Sequence, residues 1–171
     1  MSLCRADKVL LAGGAAVGSS ALLTATPLAL GAAAAFLAVM TDGIFRPTSS
    51  VLYPTIWHGP RDRPRVALTF DDGPDPQVTP SILDTLRDGG ARATFFVIGR
   101  HLEKHRSIGA RALSEGHELG NHSWMHSYFQ NFYRTGRQQS DIERSTQLLR
   151  EISGESSDPL YRPPVGLKSP A

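Results

Sequence analysis

The stretch Val66-Ala67-Leu68-Thr69-Phe70-Asp71-Asp72-Gly73-Pro74 carries most of the information about how this chain folds. A short apolar run bounded by turn residues reads as a buried strand, and this one stops on two aspartates and a Gly-Pro turn. Downstream, Thr79-Pro80 opens a helix, since Thr caps free N–H groups and Pro suits the first helical position. Ile82, Leu83 and Leu86 give that helix an apolar face, and Gly89-Gly90 ends it. Ala93-Thr94-Phe95-Phe96-Val97-Ile98 is a second buried strand, and Ser107 to Glu115 a helix closing at Gly116. Glu118-Leu119-Gly120 is a short third strand leading into Asn121-His122. A long helix is expected from about Gln138 to Ser153, with Ile142, Leu149 and Ile152 on one stripe. Ser140 and Glu143 are spaced for a capping box if that helix starts late. Leu160-Tyr161 begins a fourth strand. Strand and helix in alternation are the pattern of a parallel α/β fold.

Upstream the chain changes character. No charged residue falls between Lys8 and Asp42, and Val9 to Thr41 is rich in Ala, Leu and Gly. A helix rises about 1.5 Å per residue, so ~20 residues cross a hydrocarbon core of ~30 Å. Residues 1–45 are therefore read as a membrane-embedding segment, either one transmembrane helix or a helical hairpin turning near Thr24-Ala25-Thr26-Pro27. Arg5 and Lys8 ahead of the stretch favour a cytoplasmic N-terminus, so a single span places the α/β part on the extracytoplasmic side. A hairpin would return it to the cytoplasm. Residues 46–64 hold Pro47, Pro54, Pro60 and Pro64 with little periodicity and read as a linker.

The formal charge of +2 is too mild to argue for nucleic acid and no Lys/Arg run stands out, so no nucleic-acid partner is expected. Cys4 is the only cysteine, so an intrachain disulfide and a Cys-based zinc knuckle are both excluded.

In parallel α/β folds, functional groups gather where strands end. Here one strand ends in Asp71-Asp72, another delivers His122-Ser123-Trp124-Met125-His126, and the last delivers Arg162-Pro163-Pro164-Val165-Gly166. Histidines spaced i, i+4 face the same way on a helical turn and can bind one metal. Two histidines and one carboxylate leave a coordination position open, which is the donor set of a catalytic site. The other carboxylate of the aspartate pair is then available as a general base. His101 and His105 form a second i, i+4 pair, but Glu103, Lys104 and Arg106 around them indicate a solvated helical surface. Tyr128, Phe129, Phe132 and Tyr133 read as core aromatics, with stacking on sugar faces as the alternative.

Three motifs, Thr69-Phe70-Asp71-Asp72-Gly73-Pro74, His122-Ser123-x-x-His126 and Arg162-Pro163-Pro164-x-Gly166, taken together resemble the first three motifs of the NodB-type polysaccharide deacetylases, carbohydrate esterase family four. Ala93 to Gly99 and Gly116 to His122 are similar to that family as well. The resemblance implies that residues 65–171 are the front part of a distorted (β/α) barrel. It implies Asp71 as general base, with Arg162 orienting it, and Asp72, His122 and His126 as ligands to a divalent metal, zinc in most such enzymes. Pro163 and Pro164 would shape one wall of the substrate groove, and a backbone N–H near Tyr161 or in the third motif would serve the oxyanion. The implied activity is hydrolysis of N-acetyl groups from a polysaccharide containing N-acetylglucosamine, such as chitin oligomers or peptidoglycan, in the bacterial cell envelope.

The family's later motifs, including the histidine usually assigned as acid, come after the third motif, whereas this chain ends at Ala171. The expectation from sequence is a truncated domain. Two further readings go with it: a non-catalytic remnant that binds metal or glycan, and an O-acetyl polysaccharide esterase.

Overall fold

The computed structural model describes residues 8–15, 27–156 and 158–169. Helix α1 covers 8–15 and helix α2 covers Pro27–Phe45. Next come strand β1 (Leu68–Asp71), helix α3 (Val78–Asp88), β2 (Ala93–Val97), α4 (Gly99–Lys104), α5 (Arg106–Ser114), β3 (Glu118–Asn121) and α6 (Thr135–Ser153). The described residues fall into two compact units, one running from Arg63 to Val165. The other joins the residues through Asp62 to those from Gly166 onward.

In the larger unit the strands pair in the order β1-β2-β3, all parallel. The register sets Phe70 beside Phe95 and Phe95 beside Leu119, so Asp71 and Asn121 leave the sheet at the same end. This is the parallel α/β arrangement expected; among the described residues the sheet is open rather than closed into a barrel. β2, with a neighbour on each side, is almost wholly buried, which is why it reads as an unbroken apolar run. β1 differs from the buried strand its composition suggests: as an edge strand it is largely exposed, and it begins only at Leu68. The expected fourth strand is reduced to a single parallel bridge between Asn121 and Tyr161. Pro159 before it and Pro163-Pro164 after it remove the donors a longer ladder needs.

The core lies between the sheet and its helices, where Leu83 and Leu86 of α3 meet Phe95, Val97, Leu102, Leu119 and Leu149. Burial of each such side chain contributes about 1.5–3 kcal/mol. Gly120 is small for a physical reason: a Cβ there would come within 2.6 Å of the Phe96 ring.

Two helix starts differ from expectation. α3 is capped by Asp75, whose Oδ1 accepts hydrogen bonds from the N–H groups of Gln77 and Val78, each at 2.8 Å. Those bonds hold the Asp75 carboxyl below the usual carboxylate range. Thr79 completes the cap in reverse, its Oγ1 accepting from the Asp75 N–H at 2.9 Å, and Pro80 lies inside the helix. α6 begins at Thr135, so Ser140 and Glu143 sit within it and form no capping box. α4, absent from the sequence reading as a separate element, interposes one and a half turns between β2 and α5.

In the smaller unit, α2 is 19 residues long with a mean hydropathy of 1.9 and few buried residues, long and apolar enough to cross a membrane. The hairpin turn expected at Thr24-Ala25-Thr26 lies outside the described residues. Beyond α2 the chain folds back on itself, with Ser49 Oγ donating to Asp42 Oδ2 at 2.6 Å. Lys168 Nζ donates to the carbonyls of Ser49, Arg46 and Pro47 at 2.6, 3.0 and 3.2 Å. An ammonium there complements the negative end of the helix dipole. Burial pushes Lys168 below the ordinary lysine pKa.

Candidate metal centre and aspartate pair

Three loops meet at the C-terminal edge of the sheet. The first leaves β1 at Asp71-Asp72. Asp72 adopts φ 70°, the left-handed region that few residues other than glycine occupy, although Asp tolerates it better than most. That turn separates the two carboxylates. Asp71 Oδ1 accepts a 2.6 Å hydrogen bond from Arg162 Nη1, while Asp72 Oδ1 lies 3.1 Å from His126 Nε2 and 3.5 Å from His122 Nε2.

The second loop, 121–126, is expected from histidine spacing to place both imidazoles on one helical turn. It is not helical: Ser123 and His126 have φ of 65° and 50°. The imidazoles nevertheless converge, with ring centroids 4.9 Å apart. Buried and half-buried polar side chains hold the loop in this shape. Asn121 Nδ2 donates to the Ile142 carbonyl and to Thr146 Oγ1, and Asn121 Oδ1 accepts from the Ser123 N–H at 2.7 Å. Ser123 Oγ accepts from the His126 N–H, and Asp141 Oδ2 accepts from the Trp124 N–H.

The third loop supplies Arg162 twice over. Its carbonyl accepts from His122 Nδ1 at 2.7 Å. Because a carbonyl only accepts, Nδ1 carries the proton and the Nε2 lone pair points at Asp72. Its guanidinium spans Asp71 and Thr69 Oγ1 (3.1 Å) and lies 3.9 Å over the Phe96 ring. The Arg162 N–H itself is committed to the Asn121 carbonyl at 2.9 Å, which removes it as an oxyanion donor. Pro163 is half-buried and Pro164 buried beside it. The Tyr161 hydroxyl accepts from Gln130 Nε2 at 3.1 Å.

Burial is the main cause lowering the His122 pKa from its ordinary value, partly opposed by the bond to the Arg162 carbonyl. A neutral imidazole with its free nitrogen facing a carboxylate is a ligand in waiting. One donor atom each from Asp72, His122 and His126 lie within 4.8 Å of one another. Nitrogen and oxygen donors at that separation, with the second ring nitrogen of His122 tied to backbone, suit a divalent cation.

Sequence reasoning singled out all five of these polar residues, and the structure brings them together. It passed over Thr69, Phe96, Asn121 and Asp141, which support them. Thr69 and Asn121 lie inside the quoted motifs, but Asp141 is one polar residue among many on α6 and carries no signal of its own. The aromatics after His126 are not core: Tyr128, Phe129 and Phe132 are 72%, 69% and 84% exposed. The loop buries Gln130 instead, and the Tyr128 ring stands edge-on to His126 at 5.9 Å.

Comparison with known proteins agrees with this geometry. A family model described as polysaccharide deacetylase matches residues 58–171. The chain is 46% identical over 107 residues to the peptidoglycan-N-acetylglucosamine deacetylase PgdA of Listeria monocytogenes, covering 60% of this chain and 22% of that one. The solved structure of the Bc1960 peptidoglycan N-acetylglucosamine deacetylase superposes with a TM-score of 0.59 at 38% identity, covering 63% of this chain and 50% of that chain. A family 4 acetyl xylan esterase from Clostridium thermocellum, solved with a cobalt ion, gives 0.54 at 36% identity, covering 61% and 50%. The chain spans about half or less of the length of the curated relatives it matches. The stretch matched by the family model contains the whole described sheet and every loop that meets at its edge, so this chain belongs to the polysaccharide deacetylase family.

Proposed function

We propose that this protein hydrolyses N-acetyl groups from a glycan containing N-acetylglucosamine, with peptidoglycan or chitin oligomers as substrate, releasing acetate and leaving a free amine on the sugar. The observation that carries this reading is the division of labour between adjacent aspartates, one paired with Arg162 and the other turned toward two imidazoles. Asp72, His122 and His126 would hold a divalent ion, zinc in this reading; when bound, it polarises the acetamide carbonyl and lowers the pKa of water toward neutrality. Asp71 takes the proton from the attacking water as the oxygen adds to the carbonyl carbon. Arg162 holds that carboxylate in place through its 2.6 Å hydrogen bond, and its own position is fixed by Thr69 and the Phe96 ring. When the C–N bond breaks, the bonding pair goes to the amine nitrogen, which takes up the proton that Asp71 had accepted from the water. Pro163, with Tyr161 beside it, lines the substrate side, and residues 65–171 act as part of a larger (β/α) barrel. Residues 1–45 anchor the protein in a membrane, with 46–64 as linker and the catalytic part on the extracytoplasmic side. The substrate assignment draws on the names of the peptidoglycan deacetylases it resembles, and the anchor on the length and exposure of α2.

Asp71→Asn tests the role of the base. Acetate release from N-acetylglucosamine oligomers is expected to fall by about 10²–10⁴-fold, the usual contribution of a positioned general base. Zn2+ binding, measured by calorimetry, is expected to be unchanged because Asp71 faces Arg162 rather than the histidines. Unchanged turnover would sink the assignment.

The similarity to an acetyl xylan esterase supports a second reading, O-deacetylation by the same residues. Preferential release of acetate from O-acetylated xylan over N-acetylglucosamine oligomers would favour it. Zn2+ binding without acetate release from either would leave a metal-binding remnant.

A further inference from the structure

We propose that His101 is a positioning residue that sets the metal-facing geometry of Asp72, an inference resting on the metal-site reading above. The β2–α4 junction lies between the two loops that supply the ligands and bonds to both. On one side the Ile98 N–H donates to the Gly73 carbonyl at 2.9 Å, and His101 Nδ1 lies 3.0 Å from the Asp72 carbonyl. On the other, the N–H groups of Gly99 and Arg100 donate to the carbonyls of Ser123 and Trp124, and the His122 N–H donates to the Val97 carbonyl. A Cβ at Gly99 would stand 2.5 Å from the Trp124 ring, so the junction fits against the histidine loop without room to spare.

All but one of these ties are backbone to backbone and indifferent to sequence. The exception is His101. It reaches the peptide of the residue that must hold φ 70°, and a left-handed backbone at a non-glycine residue persists only where its surroundings impose it. A carbonyl accepts only, so His101 Nδ1 carries the proton in this contact whatever the state of the other ring nitrogen. His101 lies at a solvated surface, half-buried, and adds to that setting a contact with the Asp72 backbone, whereas its neighbours Glu103 and Lys104 face water.

Side chains that orient metal ligands typically change affinity about 10–100-fold when removed. The test uses the full chain, with Co2+ as probe, titrated against a competing chelator and read by its visible absorption. His101→Ala is expected to weaken Co2+ binding about 10-fold or more. His101→Asn, whose Nδ2 stands one bond from Cγ as Nδ1 does, is expected to restore it. Thermal unfolding of both variants in chelator is expected to match the unaltered chain. Three results overturn the proposal: undiminished binding by His101→Ala, no rescue by Asn, or a loss of binding matched by a loss of metal-free stability. Undiminished binding leaves the metal-site reading standing, whereas failure of the unaltered chain to bind Co2+ removes that reading and this inference together.

Discussion

The His122→Ala variant is expected to bind Zn2+ about 100-fold or more weakly than the unaltered chain. Structural zinc sites hold their ion with roughly 10–16 kcal/mol spread over four ligands, so one ligand carries about 3 kcal/mol. At ~1.4 kcal/mol per decade that is two orders of magnitude. His126→Ala should lose a comparable amount, because both imidazoles present Nε2 to the same Asp72 oxygen. The two variants part company in the metal-free protein. His122 is buried and bonded to the Arg162 carbonyl, and a buried acceptor left without a partner costs about 1–3 kcal/mol. His126 is more exposed, so its removal should leave metal-free unfolding nearly unaltered. Calorimetric titration with Zn2+ and urea unfolding in chelator check the two halves of this expectation. Equal metal affinity in all three proteins would dismiss the triad as a ligand set.

The largest stability effect is expected at Trp124, which lies between the two histidines in sequence and inside the core in space. Trp124→Ala should cost about 3–5 kcal/mol, the range for deleting a buried large aromatic. That is a large fraction of the ~5–15 kcal/mol that holds a typical domain together. The indole packs on Gly99, the Trp124 backbone N–H is tied to Asp141, and the Arg144 guanidinium covers the ring at 3.6 Å. Arg144→Ala separates packing from the cation contact: at a largely exposed arginine the loss should be only about 0.5–1 kcal/mol. Urea midpoints for the two variants give the comparison. A cost below 1 kcal/mol at Trp124 would mean that the histidine loop is not set by the core beneath it.

Some features were legible in the sequence and others were not, because they draw on different kinds of information. The strand Ala93–Val97 was readable because a central parallel strand must be apolar on both faces, and that leaves an unbroken run. Asp71, Asp72, His122, His126 and Arg162 were readable because polar residues at strand ends stand out against such runs. The start of α3 was misjudged because Asp75 and Thr79 are both capping residues, and only the folded backbone reveals that each caps with the other's help. Histidine spacing suggested a helical turn, but the same convergence is reached here through left-handed Ser123 and His126, which spacing does not encode. The exposure of Tyr128, Phe129 and Phe132 was missed because composition says what a side chain prefers, not which neighbours it has. His101 was hidden by its charged surroundings, since a half-exposed side chain on a solvated helix can still bond the backbone of a neighbouring loop.

The bond between Arg162 and Asp71 joins residues 91 positions apart. At a ribosomal pace of roughly 5–20 residues per second, Asp71 is made some 5–20 s before its partner exists. The sheet can pair strand by strand as it is synthesised, each βα step closing on the last. Asp71 has no guanidinium beside it until the third loop emerges. Any reactivity that depends on this pair is therefore acquired late in synthesis, after the three strands of the sheet have already been made.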